Sequence, residues 1–281
     1  MSTPGASGAP VVELRGLSAA AAPGVPGTAL RGLDLRIEAG EHVAVIGASG
    51  AGKTSLLMAL ACAVKPQGGA FSLFGVDPWA VSSAQLKRLR ARLFLAPQAA
   101  PLPPRQRVVT AVLAGRLPSM GLLESLRTLW HPSQAALARG ALAAVGLADK
   151  LWLRVDRLSG GERQRVGLAR ALVSQAELWL VDEPLSALDP ARARLVIDAL
   201  QAAARRDGRT LVCSLHQVDV ARACFPRIVA LRAGACAYDG PPQGLDDAAL
   251  RALYAGEAEE GDAALPAAAP RPAALPESMC R

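Results

Sequence analysis

The segment G-A-S-G-A-G-K-T, Gly47 to Thr54, constrains the fold of this chain more than any other stretch, because a loop of this kind works only between a strand and a helix. Gly47, Gly50 and Gly52 carry no Cβ, so the loop can turn its backbone N–H groups inward as a nest for an anion without blocking the approach. Lys53 adds a positive charge at the β- and γ-phosphates of a nucleotide, and the Thr54 hydroxyl is placed to ligate Mg2+. The flanks agree with the loop. Val43-Ala44-Val45-Ile46 is a short apolar run with the look of a buried parallel strand, and Ser55 to Ala63 favours a helix whose N-terminus faces the phosphates. Gly47, Ala48, Ser49, Gly50, Ala51, Gly52, Lys53, Thr54 and Ser55 together form the expected phosphate cradle.

A second apolar run, Leu178 to Val181, ends in Asp182-Glu183. A buried strand would carry these carboxylates at its carboxyl end, the edge at which open parallel sheets bind ligands. Asp182 is expected to hold Mg2+, directly or through water. Glu183, one residue on and aimed elsewhere, is the candidate general base for a water attacking phosphorus. An acidic pair that only makes salt bridges at a strand end is the plain alternative, and the glycine-rich loop upstream weighs against it. Between the two motifs lies L-S-G-G-E-R-Q, Leu158 to Gln164. Ser159 and Glu162 form S-x-x-E, a capping box, so a helix is expected from Ser159 through Arg163 to Val173. Gly160 and Gly161 weaken a first turn unless something must come close to it. A helix start with free N–H groups and a partial positive charge is an anion site.

In chain order, G-A-S-G-A-G-K-T, L-S-G-G-E-R-Q, L-W-L-V-D-E-P (Leu178 to Pro184), S-A-L-D (Ser186 to Asp189) and a lone His216 resemble the ATP-binding-cassette (ABC) ATPases. The resemblance runs from about Val11 to Tyr254. It implies an α/β fold: a P-loop NTPase (RecA-like) core, an N-terminal antiparallel β subdomain, and an inserted α-helical subdomain at about 97–158 extending into the signature helix. It also implies ATP and Mg2+ as cofactors and gives three more residues a role. Gln98, after Leu93-Phe94-Leu95, falls where the family has a glutamine that senses Mg2+ and the attacking water. His216, after Thr210 to Ser214, falls where the switch histidine contacts the γ-phosphate. Asp189 matches the aspartate that crosses the dimer interface. Ser159, Gly160, Gly161 and Glu162 would then face the γ-phosphate of ATP held by a second copy of the chain, in a head-to-tail dimer with two composite sites. The family usually stacks adenine on an aromatic near the N-terminus, but this chain has no aromatic before Phe71, and no residue is assigned that role.

Finer likenesses concern the solute. V-L-A-G-R-L (Val112 to Leu117), L-H-Q-V-D (Leu215 to Asp219), R-I-V-A-L (Arg227 to Leu231) and Tyr238-Asp239-Gly240 are similar to the phosphonate-import ATPases. That likeness implies transmembrane permease subunits as partners, a periplasmic or extracellular solute-binding protein acting indirectly, and a peripheral place on the cytoplasmic face of the cell membrane. Import of phosphate or of a polar amino acid, and a non-transport ABC ATPase, are the alternatives.

The remaining sequence narrows the classes. No run approaches 18 strongly apolar residues, so if the protein works at a membrane another chain must cross it. The net charge of +7 is spread through the chain and aromatics make up 4%, which favours a cationic surface beside lipid or protein over nucleic-acid binding. Of the five cysteines none forms C-x-x-C; Cys62, Cys213 and Cys236 lie in apolar stretches and are expected in the core, as suits a reducing cytoplasm. Val11 to Glu41 reads as antiparallel β structure; Val108 to Leu117, Ala135 to Val145 and Ala191 to Arg206 read as helices; Pro101-Leu102-Pro103-Pro104 cannot be regular helix. Arg227 to Leu231 and Ala235 to Tyr238 read as a hairpin. Residues 1–10 and 256–281 are expected to be disordered, leaving 11–255 as one ATPase domain.

Overall fold

The structure, a computed structural model, describes residues 10–21, 27–121, 123–125, 134–186 and 190–254. Asp189 and the segments 1–9 and 255–281, on which several of the expectations fall, lie outside the described residues.

The larger sheet has six strands in the order β5-β6-β7-β3-β8-β9. These are β3 (His42–Ile46), β5 (Leu93–Ala96), β6 (Leu178–Asp182), β7 (Thr210–Ser214), β8 (Arg227–Arg232) and β9 (Ala235–Gly240). All neighbours are parallel except β9, which returns antiparallel on β8 as the late hairpin. Every residue of β3, β6 and β7 is buried, because central parallel strands are covered on both faces; their interiors are apolar without alternation and their polar residues stand at the strand ends. The pairs Val45 with Ser214 and Asp182 with Ser214 bring the carboxyl ends of β3, β7 and β6 level, so the residues that follow all three strands emerge at one edge.

The smaller sheet is antiparallel, in the order β2-β1-β4, with β1 (Val12–Ala19), β2 (Leu30–Ile37) and β4 (Gly68–Leu73). Its third strand lies beyond the segment Val11 to Glu41 expected to supply the β region, because the chain returns to β1 only after the phosphate loop and its helix. That helix, α1 (Lys53–Leu60), is clamped between the sheets. Leu56, Leu57 and Leu60 are fully buried against β1, β2 and one face of the large sheet, with Val43, Val45, Leu180 and Val212 in the same core. Burying each such leucine contributes about 1.5–3 kcal/mol. Alternate residues of the same strands, Ala44, Ile46, Trp179, Val181 and Cys213, enter a second core under the helices on the opposite face. The helix α1 ends before the expected Ala63 because Cys62 adopts φ 55°, a left-handed conformation that no helix can continue through.

The inserted lobe and flanking helices comprise α2 (Ser83–Ala91), α3 (Val108–Leu113), α4 (Ala135–Ala144), α5 (Gly160–Val173), α6 (Pro190–Arg206), α7 (Val218–Cys224) and α8 (Asp247–Tyr254). The helix expected over Val108 to Leu117 changes after Leu113 to a 3-10 segment, Ala114–Ser119. Here Gly115 presses on α5: a Cβ at this position would lie 2.2 Å from the Arg170 carbonyl oxygen. Pro118, without an N–H, sits inside the 3-10 segment. Cys62 and Cys213 are buried as expected, but Cys236 is exposed. The apolar run around Cys236 belongs to β9, an edge strand whose first three residues face solvent. Among the described residues no helix is long and apolar enough to cross a membrane.

Candidate active site

The carboxyl edge of the large sheet gathers the residues the sequence singles out. The loop after β3 takes positive φ at Gly47 (150°), Gly50 (74°) and Gly52 (103°). A Cβ on Gly47 would come within 2.4 Å of the Leu231 carbonyl oxygen, so the loop can take this path only with glycine there. Lys53 is only 5% exposed and folds over the loop, its Nζ donating to the carbonyls of Gly47 at 2.8 Å and Ala48 at 3.0 Å. A cleft of about 260 Å³ opens beside it, walled by Ala21 and Ala29, by the loop from Ser49 through Ser55, and by Glu183 and His216.

The acidic pair at the end of β6 is held by its neighbours. Asp182 is 6% exposed; its Oδ2 accepts from Thr54 Oγ1 at 3.0 Å, and its Oδ1 accepts from Ser214 Oγ at 2.6 Å. Thr54 and Asp182 thus form an adjoining pair of oxygen donors, the chemistry a small hard cation requires. Glu183 follows with φ 46°, turning its side chain out of the strand direction into the cleft. Gln98 Nε2 donates to Glu183 Oε2 at 2.7 Å, and His216 Nε2 meets the other carboxylate oxygen in a close contact. Lys53, Thr54, Gln98, Asp182, Glu183 and His216, drawn from four separate stretches of sequence, therefore converge at one edge.

The signature segment builds the helix start its spacing encodes. Ser159 caps α5, its Oγ accepting from Glu162 N at 3.2 Å while Glu162 Oε2 accepts from Ser159 N at 2.8 Å. That backbone donor is the chief reason the Glu162 carboxyl lies below the usual carboxylate range; partial burial opposes it and Lys150 assists. Ser159 and Gly160 are exposed, and none of Ser159, Gly160, Gly161 and Glu162 lines the loop cleft of their own chain.

Two contributors were missed at the level of sequence. Ser214 touches both acidic residues, and Gln164, one turn into α5 and 7% exposed, donates from Nε2 to the Glu183 carbonyl at 2.7 Å and to Ser186 Oγ at 3.1 Å. The available signals were a hydroxyl closing the otherwise apolar run Leu211-Val212-Cys213 and the amide that ends L-S-G-G-E-R-Q. Cys213 beside them is no nucleophile: complete burial, then the Asp182 charge, push its thiol far up and keep it protonated.

Residues 30–186 match the ABC transporter family. The chain belongs to this family. As an ABC cassette it is an ATPase, and its fold is that of other cassettes. It is 58% identical over 246 residues, 87% of this chain and 89% of the relative, to the phosphonates import ATP-binding protein PhnC 2 of Albidiferax ferrireducens. It is 52% identical over 248 residues, 88% of this chain and 93% of the relative, to PhnC 2 of Pseudomonas aeruginosa. A dimeric ATP-binding cassette in a post-hydrolysis state bound to ADP and Pi superposes with a TM-score of 0.70 at 26% identity, over 82% of this chain and 98% of that one.

Proposed function

We propose that this cassette, spanning about residues 11–255, is the ATP-hydrolysing subunit of an importer that takes up phosphonate through a separate membrane permease. The observation that carries the solute is identity above 50%, over nearly nine tenths of the chain, to relatives named for phosphonate import. The protein would work peripherally on the cytoplasmic face of the cell membrane, fed indirectly by a solute-binding protein outside.

The residues present fit both ATP and Mg2+: the loop takes a path that glycines at positive φ allow, Lys53 lies over it, and Thr54 and Asp182 offer adjoining oxygens. Thr54, Asp182 and Gln98 would hold Mg2+, which when bound supplies charge neutralisation at the phosphates. Lys53 exchanges the Gly47 and Ala48 carbonyls for phosphate oxygens, so its charge is already placed before nucleotide arrives. Glu183 accepts the proton of the attacking water, while Gln98 and His216, on its two carboxylate oxygens, orient it. Ser159, Gly160, Gly161 and Glu162 would face the nucleotide of a second copy, and Asp189 would lie along the interface between them.

Growth on a single phosphorus source tests the assignment. Disruption of the gene, or its replacement by a Lys53→Ala version, is expected to abolish growth on an alkylphosphonate and spare growth on inorganic phosphate. Unimpaired growth on phosphonate, in a strain with no other phosphonate importer, would assign the cassette to a different solute.

A further inference from the structure

The backbone of Glu183 is held from both sides by side chains that lie outside the residues given a role above. Its φ of 46° belongs to the left-handed region, which a residue with a Cβ occupies only where its surroundings over-determine it. Gln164 on α5 takes the carbonyl, and Ser214 at the end of β7 takes the N–H at 2.9 Å. Ser214 does more than this. It is fully buried, and the same hydroxyl donates its one proton to Asp182 Oδ1 at 2.6 Å. The hydroxyl therefore donates once and accepts once, one bond to each member of the acidic pair. Because Asp182 and Ser214 are register partners in the parallel ladder, strand pairing itself delivers the hydroxyl to this point.

We infer that Ser214 is a positioning residue for hydrolysis: one hydroxyl fixes the Asp182 carboxylate beside Thr54 and the Glu183 backbone in its left-handed turn, so cation holding and the aim of the general base are set together. The inference rests on the roles proposed above for Asp182 and Glu183. Removing the hydroxyl takes from the buried Asp182 Oδ1 and from the Glu183 N–H the one partner they share. Among the described residues Ser214 makes no hydrogen bond to the phosphate loop itself and reaches it through Asp182 and Thr54, so the damage should appear in turnover and cation dependence more than in nucleotide affinity.

The test is steady-state ATPase of the full-length Ser214→Ala, Ser214→Thr and Glu183→Gln proteins across ATP and Mg2+ concentrations, with thermal unfolding of each. For Ser214→Ala, losing one buried partner predicts a kcat lower by about ten- to a hundredfold, a KM for ATP within about twofold, and a several-fold rise in the Mg2+ needed for half-maximal rate. Ser214→Thr, which keeps the hydroxyl, should recover most of the kcat and the original Mg2+ dependence. An unchanged kcat in Ser214→Ala, or a loss of activity that tracks a lowered melting temperature with no change in Mg2+ dependence, overturns the inference. Glu183→Gln separates the two levels: if it stays fully active, the reading of the acidic pair is wrong; if it is inactive while Ser214→Ala is normal, only the role of Ser214 falls.

Discussion

At the scale of single residues, Glu183 concentrates the chemistry, and exchanging one oxygen for nitrogen isolates what it does. Glu183→Gln keeps the shape and the hydrogen-bonding reach toward Gln98 and His216 but removes the proton acceptor. ATPase activity should fall by about 10²–10⁴-fold. With the cradle, Lys53 and Asp182 intact, MgATP should then hold two copies together, read as a shift toward dimer in gel filtration that depends on nucleotide. Full hydrolysis in this variant would remove Glu183 from the role. Legibility differs sharply among the residues of the site. Lys53, Thr54, Asp182 and Glu183 can be named from the sequence because each has a fixed offset from a glycine-rich loop or from the end of an apolar run. Ser214 and Gln164 reach Glu183 across 31 and 19 residues, through strand register and helix packing that no local spacing encodes. Cys236 shows the reverse failure, since apolar neighbours on an edge strand look the same in sequence as those of a core strand.

At the scale of elements, the lobe packs on the signature helix through a glycine. Gly115 brings the 3-10 segment after α3 against the backbone of α5 near Arg170, where any side chain would collide with main chain, which cannot swing aside. Gly115→Val should cost about 1–3 kcal/mol through overpacking, measured as a lower denaturant midpoint. An unchanged midpoint would mean that residues 114–119 have room to move away from α5. Such fastenings explain where reading elements from sequence stops. The apolar periodicity correctly marks helices at Val108, Ala135 and Ala191, yet the end of α3 is decided by a partner helix some 55 positions away. The third strand of the small sheet, β4, was invisible for the same reason: its place beside β1 comes from the path around α1, not from its own six residues.

At the scale of the molecule, the segregation of Ser159–Glu162 from the loop cleft of the same chain makes a two-copy experiment decisive. Ser159→Arg and Lys53→Ala subunits should each be inactive alone. Mixed, they should form dimers with one intact composite site and regain measurable ATPase, given that a dimer with a single working site can turn over. No recovery under that condition would place Ser159 and Lys53 at the same site. The order of the large sheet carries a consequence of a different kind, in time. The phosphate loop springs from β3, yet β3 is flanked on both sides by strands from the last third of the chain, Ala44 lying opposite Cys213 and Ile228. A ribosome adding about 5–20 residues per second would have made the loop some ten to thirty seconds before either flanking strand leaves the exit tunnel. Throughout that interval the nascent chain carries every glycine of its phosphate cradle without the two strands that flank β3, so nucleotide is expected to assist folding only once β7 and β8 have joined the sheet.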